Sequence, residues 1–241
     1  MSSGQLVEFT NLRMKIYQAA ADALAVANPE YVEAFQRRLK ETNGDLQRVI
    51  DETRPLIKDS PEDWIKVLTA LLDVQLVIEK VRRSLVYLET DLPQQPDDAG
   101  ARVIYHFDHW IFQMHALLER VDRLIATVFR TLVRPRAIKG WEIEQKKLRK
   151  RVRGLNPGIA KIRDPLAHGL GGGVTGPQEE QLWEPFLAGR LFALNLGLLA
   201  YQGADSKRTT WHSSLAIATT MAFIEVDQIS QELSHYIPQH P

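Results

Sequence analysis

Apolar residues recur at steps of three and four along nearly the whole chain, and no stretch alternates as a half-buried strand would. Leu6, Phe9, Leu12, Ile16, Ala20 and Leu24 give one face to a first helix over about residues 6–26. Asn28-Pro29 breaks it, and the proline is suited to open a second helix whose face carries Tyr31, Phe35 and Leu39. Asn43-Gly44 ends that segment, and a third short one runs from Asp45 to about Ile57. Ser60-Pro61-Glu62-Asp63 then has the form of a helix start, with a serine cap, a proline in the first turn and acids at the positive end of the dipole. The spacing of Ser60 and Asp63 is close to a capping box. The helix opened there carries Trp64, Val67, Leu71, Val74, Val77, Ile78, Val81, Leu85 and Leu88, and is expected to reach about Glu89.

Asp91 to Asp98, with Pro93 and Pro96, is the clearest linker. Beyond it the spacing predicts a long helix over about 99–132, a basic one over 138–153, and two more over 178–201 and 208–236. A glycine-rich loop separates the basic helix from the last pair, over 169–177. The expected fold is therefore all-α: a helical bundle over residues 59–241 with an N-terminal helical extension over 1–58.

Charge and composition narrow the chemistry. Thirty basic and thirty acidic side chains cancel, so global charge selects no polyanionic or membrane partner. The absence of cysteine removes disulfides, thiolate nucleophiles and cysteine-bound zinc or iron–sulfur clusters. The first residues lack the basic and apolar regions of a signal peptide, and the most apolar run, Leu191 to Tyr201, is shorter than the about 20 residues a membrane span needs. These features lead to the expectation of a soluble cytoplasmic protein with no membrane partner.

His106, Asp108, His109 and His115 share one helix, but Tyr105, Phe107, Trp110, Ile111 and Phe112 among them read as an aromatic core edge, so no metal is expected there. Glu232 and His235 have the Glu-x-x-His spacing of di-iron bundles, yet such bundles need two copies and the chain has one. The run Gly171-Gly172-Gly173 does not join a strand to a helix, as a phosphate-binding loop would. No cofactor is expected.

Local charge is more pointed. From Arg134 to Arg163 there are eleven basic residues, opposed only by Glu142 and Glu144. Lys146, Lys147, Arg149, Lys150, Arg151 and Arg153 crowd one helix whose apolar stripe is Trp141, Leu148, Val152 and Leu155. Two readings stand: a phosphate-backbone contact surface, or a helix face whose partners are acids elsewhere in the fold. The basic stretch ends in Arg163-Asp164-Pro165-Leu166-Ala167-His168-Gly169, where Asp164 suits a helix N-cap and Pro165 a first helical position.

That segment resembles the signature of the HEPN superfamily (higher eukaryotes and prokaryotes nucleotide-binding domains): arginine, a polar residue, a few variable positions, then histidine after a small residue. The resemblance implies an α-helical bundle with the motif late in it, behind two long helices. It further implies a metal-independent endoribonuclease of toxin–antitoxin or defence type. His168 would then act as general base or acid, Arg163 would hold the scissile phosphate, and Asp164 would orient one of them. The implied partners are RNA, a second copy of the chain in a homodimer, and an antitoxin protein. The other classes open on the same residues are RNA or nucleotide binding without cleavage, and a helical interaction scaffold.

Overall fold

The computed structural model describes residues 6–42, 45–90, 96–168 and 200–238, with side chains for all of these except 88–90, 96–104, 107, 156–168 and 200–214. Every element described is helical: α1 Val7–Ala27, α2 Pro29–Glu41, α3 Leu46–Thr53, α4 Glu62–Thr90, α5 Pro96–Val128, α6 Trp141–His168 and α7 Ala200–Ser234. The all-α expectation holds for these residues. A 3-10 turn, Arg54–Leu56, follows α3, and a π-helical turn, Phe129–Val133, followed by a 3-10 turn, Arg134–Arg136, extends α5.

By its contacts the chain forms two compact units. The first draws its described residues from Asp73–Asp122 and Arg149–Glu225, and the second from Leu6–Leu72, Arg123–Leu148 and Val226–Pro241. In the first unit Val74, Ile78 and Val81 of α4, Ile111, Met114 and Leu118 of α5 and Phe223 of α7 are buried. Trp110 is buried with them and donates its indole N–H to Thr219 Oγ1 at 2.9 Å, which meets the need of that polar group inside an apolar core. Arg82 lies over the ring of Phe223, 5.5 Å from its centroid.

In the second unit the face read on α1 is the buried one: Phe9, Leu12, Ile16 and Ala20. The start of α1 has no local side-chain cap; instead Asp227 of α7 accepts a hydrogen bond from the Phe9 amide at 2.9 Å. Asp45 caps α3 through the Arg48 amide at 3.2 Å. Asn28, between α1 and α2, is buried and clasps the strand of chain before α4. Its Oδ1 accepts from the Lys58 and Asp59 amides at 2.8 and 3.0 Å, while its Nδ2 donates to the Asp59 carbonyl at 2.7 Å. Phe129, fully buried, stacks with Trp141 at 6.4 Å between ring centroids and meets Tyr236 at 4.8 Å with the rings tilted by 50°. The turn into α6 uses Gly140 at φ +77°, a left-handed conformation that glycine adopts without strain.

Several boundaries differ from expectation. The basic helix does not end near Arg153 but runs on to His168, so Asp164 stands inside a helix and is not its N-cap. The reason is visible in the pattern: Leu148, Val152, Leu155, Ile159, Ile162 and Leu166 keep one apolar register across Pro157 and Pro165. Each proline removes one backbone donor, yet the apolar spacing continues without a shift. Residues 202–207, expected to part the last two helices, are helical, since α7 is continuous over Ala200–Ser234. The expected glycine loop over 169–177 and nearly all of the expected helix over 178–201 lie outside the described residues, as does most of the 91–98 linker.

Candidate nucleic-acid interface

Helix α6 carries both the basic cluster and the Arg163–His168 segment, so helical geometry fixes how these residues are distributed. At about 100° per residue, Leu148, Val152 and Leu155 define the apolar side, and Leu148 and Val152 are buried. Arg149 and Arg151 fall on the two flanks of that side, within about 95° of its centre. Lys146, Lys150 and Arg153 fall on the opposite side, about 130–170° from it. All three are exposed.

The flanking arginines are engaged within the fold. Arg149 grips Asp122 of α5 with a fork, Nε to Oδ1 and Nη2 to Oδ2, both at 2.7 Å. Burial alone would raise the Asp122 carboxyl, but the Arg149 hydrogen bonds and charge outweigh it and hold that group below its usual range. The same pairing raises Arg149. Arg151 meets Glu225 of α7 at 2.5 Å. Lys147 reaches both Glu144 and Glu232, at 3.5 and 3.6 Å. Arg153 has only a longer approach to Asp122, 3.5 Å, and its side chain stays 62% exposed. Of the six basic residues, then, Arg149 and Arg151 bind acids at short range, while Lys146, Lys150 and Arg153 present charge outward.

The Arg163–His168 segment forms the last turns of α6. Four residues separate Asp164 from His168, which makes them neighbours along one register of the helix. That register is also the one of Lys146, Lys150 and Lys161, opposite the apolar side. Arg163 is five residues from His168, about 140° around the axis and about 7.5 Å along it. The two positions therefore do not share a helix face.

Comparison with protein-family models, with curated proteins and with solved structures finds no match.

The histidine-rich part of α5 is built as an aromatic edge. Tyr87 lies 5.3 Å from the buried His106 ring, and Tyr105 stacks on His109 at 6.2 Å between centroids. Burial, then the charges of His106 and Lys80, push the His109 pKa down. Among the described residues no group of three or more His, Asp or Glu side chains is arranged to hold a metal ion. No described helix is long and apolar enough to cross a membrane.

Sequence reasoning missed the clasp at Asn28 and the acids that take Arg149 and Arg151. The acids carry no signal of their own, because Asp122 and Glu225 are single charges on otherwise mixed helix faces. The flank position of Arg149 and Arg151 beside the apolar stripe was the available sign.

Proposed function

We propose that this chain is an HEPN-like, metal-independent endoribonuclease of toxin or defence type, cytoplasmic and homodimeric, with an antitoxin protein as a natural partner. What supports the reading is the Arg163-Asp164-Pro165-Leu166-Ala167-His168 segment at the end of a basic helix, with Asp164 and His168 four residues apart on one register. In this reading the His168 imidazole takes the proton of a ribose 2′-hydroxyl as its oxygen attacks phosphorus. The bond to the 5′-oxygen breaks, that oxygen is protonated, and the products are a 2′,3′-cyclic phosphate and a 5′-hydroxyl. An imidazole with pKa near 6.5 suits both proton transfers, which are typically worth about 10²–10⁴-fold in rate. Arg163 neutralises the charge that develops on the phosphoryl oxygens, and Asp164 orients His168. The angular separation of Arg163 and His168 is a reason for the homodimer: a cleft formed by two copies can present the arginine of one beside the histidine of the other.

The deciding experiment is incubation of the chain with a mixed RNA pool in EDTA. Cleavage to cyclic-phosphate ends, lost in both Arg163→Ala and His168→Ala, is the expected result. Cleavage that survives both substitutions excludes this active site, and intact RNA excludes the nuclease. A second reading, RNA or nucleotide binding without cleavage or a helical interaction scaffold, draws on the ion pairs of Arg149 and Arg151, which give part of the basic cluster a structural purpose. RNA retained at low salt but not cut would select binding alone, and no retention would select the scaffold.

A further inference from the structure

We infer that the outer face of α7 is a contact surface for a second copy of this chain, docked antiparallel about a two-fold axis that passes between Thr220 and Met221. The inference does not rest on the nuclease reading, and none of its residues belongs to α6. Along α7 the inward, flanking and outward positions carry different residue types. Thr219, Phe223 and Val226 are buried. The charged residues among its described side chains sit on the flanks and are engaged there: Glu225 with Arg151, Asp227 with the Phe9 amide and Glu232 with Lys147. Every exposed position among the described side chains of α7 is uncharged. The large ones, Ile217, Met221 and Ile224, are 56, 64 and 51% exposed. A surface helix ordinarily turns charge to water, as α6 does with Lys146, Lys150 and Arg153; a helix without charge on its outer face is built to be covered there as well.

The order of residues on that face selects the occupant. At about 100° per residue, positions 210, 213, 217, 220, 221, 224, 228 and 231 fall within about 60° of the Ile217 direction. Read outward from the point between 220 and 221, they match in both directions: Thr220 with Met221, Ile217 with Ile224, Ser213 with Gln228, Thr210 with Gln231. A two-fold contact demands this symmetry, because a residue at i meets j while j meets i. An antiparallel copy sets Ile217 of one chain against Ile224 of the other, next to the two Met221 positions at the axis. The polar positions then fall at both ends, where hydroxyl and amide groups can donate and accept, and no like charges meet. An uncharged centre holding methionine inside a polar rim is the composition of a protein interface. The face spans about 33 Å and is about 10 Å wide, a footprint near 330 Å² against the roughly 800 Å² per partner of a standard interface, so the association is of the weak, reversible class.

The chain has no cysteine, so one introduced thiol reports position without background. Met221→Cys, oxidised mildly with diamide, should form a covalent dimer, because the two copies of position 221 lie beside the axis at helix-contact distance. Met14→Cys, 58% exposed on α1, should cross-link at least about tenfold less, since a held pair has a local concentration that free collision does not reach. In the Met221→Cys background, Ile217→Glu should lower the yield about tenfold by placing a lone charge in the contact. Adding Ile224→Lys should restore it, because the two-fold sets the new acid of each copy against the new base of the other. All these positions are exposed, and circular dichroism checks that each variant keeps its helical content. Absence of a Met221→Cys dimer, an equal yield from Met14→Cys, or a loss in Ile217→Glu that Ile224→Lys does not restore overturns the proposal. The first of these outcomes gives the face to another segment of the chain or to a different protein, and none of them bears on RNA cleavage.

Discussion

Replacing Asn28 by alanine should destabilise the protein by about 3 kcal/mol, far more than a corner residue between two helices ordinarily would. The side chain is 4% exposed and makes four hydrogen bonds, to the Leu24 and Asp59 carbonyls and from the Lys58 and Asp59 amides. Alanine removes all four, but they do not count equally. The Leu24 carbonyl keeps the Asn28 backbone amide at 2.9 Å, so its loss is small. The Lys58 amide, the Asp59 amide and the Asp59 carbonyl lose a short partner each. An orphaned buried group costs about 1–3 kcal/mol, and partial access of water at this site argues for the low end, about 1 kcal/mol per group. No gain in helix propensity offsets this, because Asn28 has φ −138° and ψ 68°, outside the helical region, and precedes a proline. Urea denaturation followed by circular dichroism reads the difference. A second variant isolates the donor side: Asn28→Asp keeps acceptors for the Lys58 and Asp59 amides but sets a carboxylate against the Asp59 carbonyl. Its deficit should therefore shrink on acidification, when the protonated carboxyl can donate. A loss below about 0.5 kcal/mol in Asn28→Ala would refute the clasp, since that is the scatter of ordinary surface substitutions.

Asp122→Asn should cost about 1–2 kcal/mol, reduced from the full value of a charge-assisted fork because both partners keep contact with water. The folded pKa of Asp122 is depressed, so its contribution is present above the unfolded value of about 3.9 and is lost as pH falls through the folded one. The gap in urea midpoint between wild type and Asp122→Asn should accordingly be widest near neutrality and close toward pH 3, and a gap that is independent of pH would count against the pairing. If the RNA reading holds, Lys146→Ala and Lys150→Ala should leave stability nearly unchanged and each reduce the salt slope of RNA binding by about one, whereas Arg149→Ala should chiefly lower the urea midpoint. Equal effects of all three on RNA affinity would overturn the division of the basic helix.

The helical class and the buried faces were legible because burial imposes a period on the sequence. Phe9, Leu12 and Ile16 in α1, and Val67, Leu71, Val74 and Ile78 in α4, are buried as their spacing requires. Proline led the reading astray in α6. Taken locally, Asp164-Pro165 has the composition of a helix start, and only the uninterrupted register from Leu148 to Leu166 says otherwise. Asn28 misleads in a related way: its neighbour Pro29 advertises a break, while the function of the asparagine lies thirty residues away, at Lys58 and Asp59. Periodicity records what a helix turns inward; it holds no information about which distant backbone groups a single amide will satisfy.

The same limit governs the basic helix, and there it changes the functional argument. Eleven positive residues in one stretch look like a single surface when counted along the sequence. The eight of them on α6, wound at about 100° per residue, separate into two populations. Those beside the apolar stripe, Arg149 and Arg151, pair with Asp122 and Glu225 within the first unit. Those opposite it, Lys150 and Arg153, are exposed and lie along the register that leads through Lys161 and Asp164 to His168. Arg163 falls on the other side, at a register close to that of Arg149 and Val152. The arginine and histidine positions thus lie about 140° apart around α6. In the nuclease reading, two copies can bring the arginine position of one near the histidine position of the other. If the nuclease reading holds, mixing inactive Arg163→Ala and His168→Ala chains should restore up to about a quarter to a half of the activity through mixed dimers. Full loss in the mixture, with dimers present, would assign both residues to one chain.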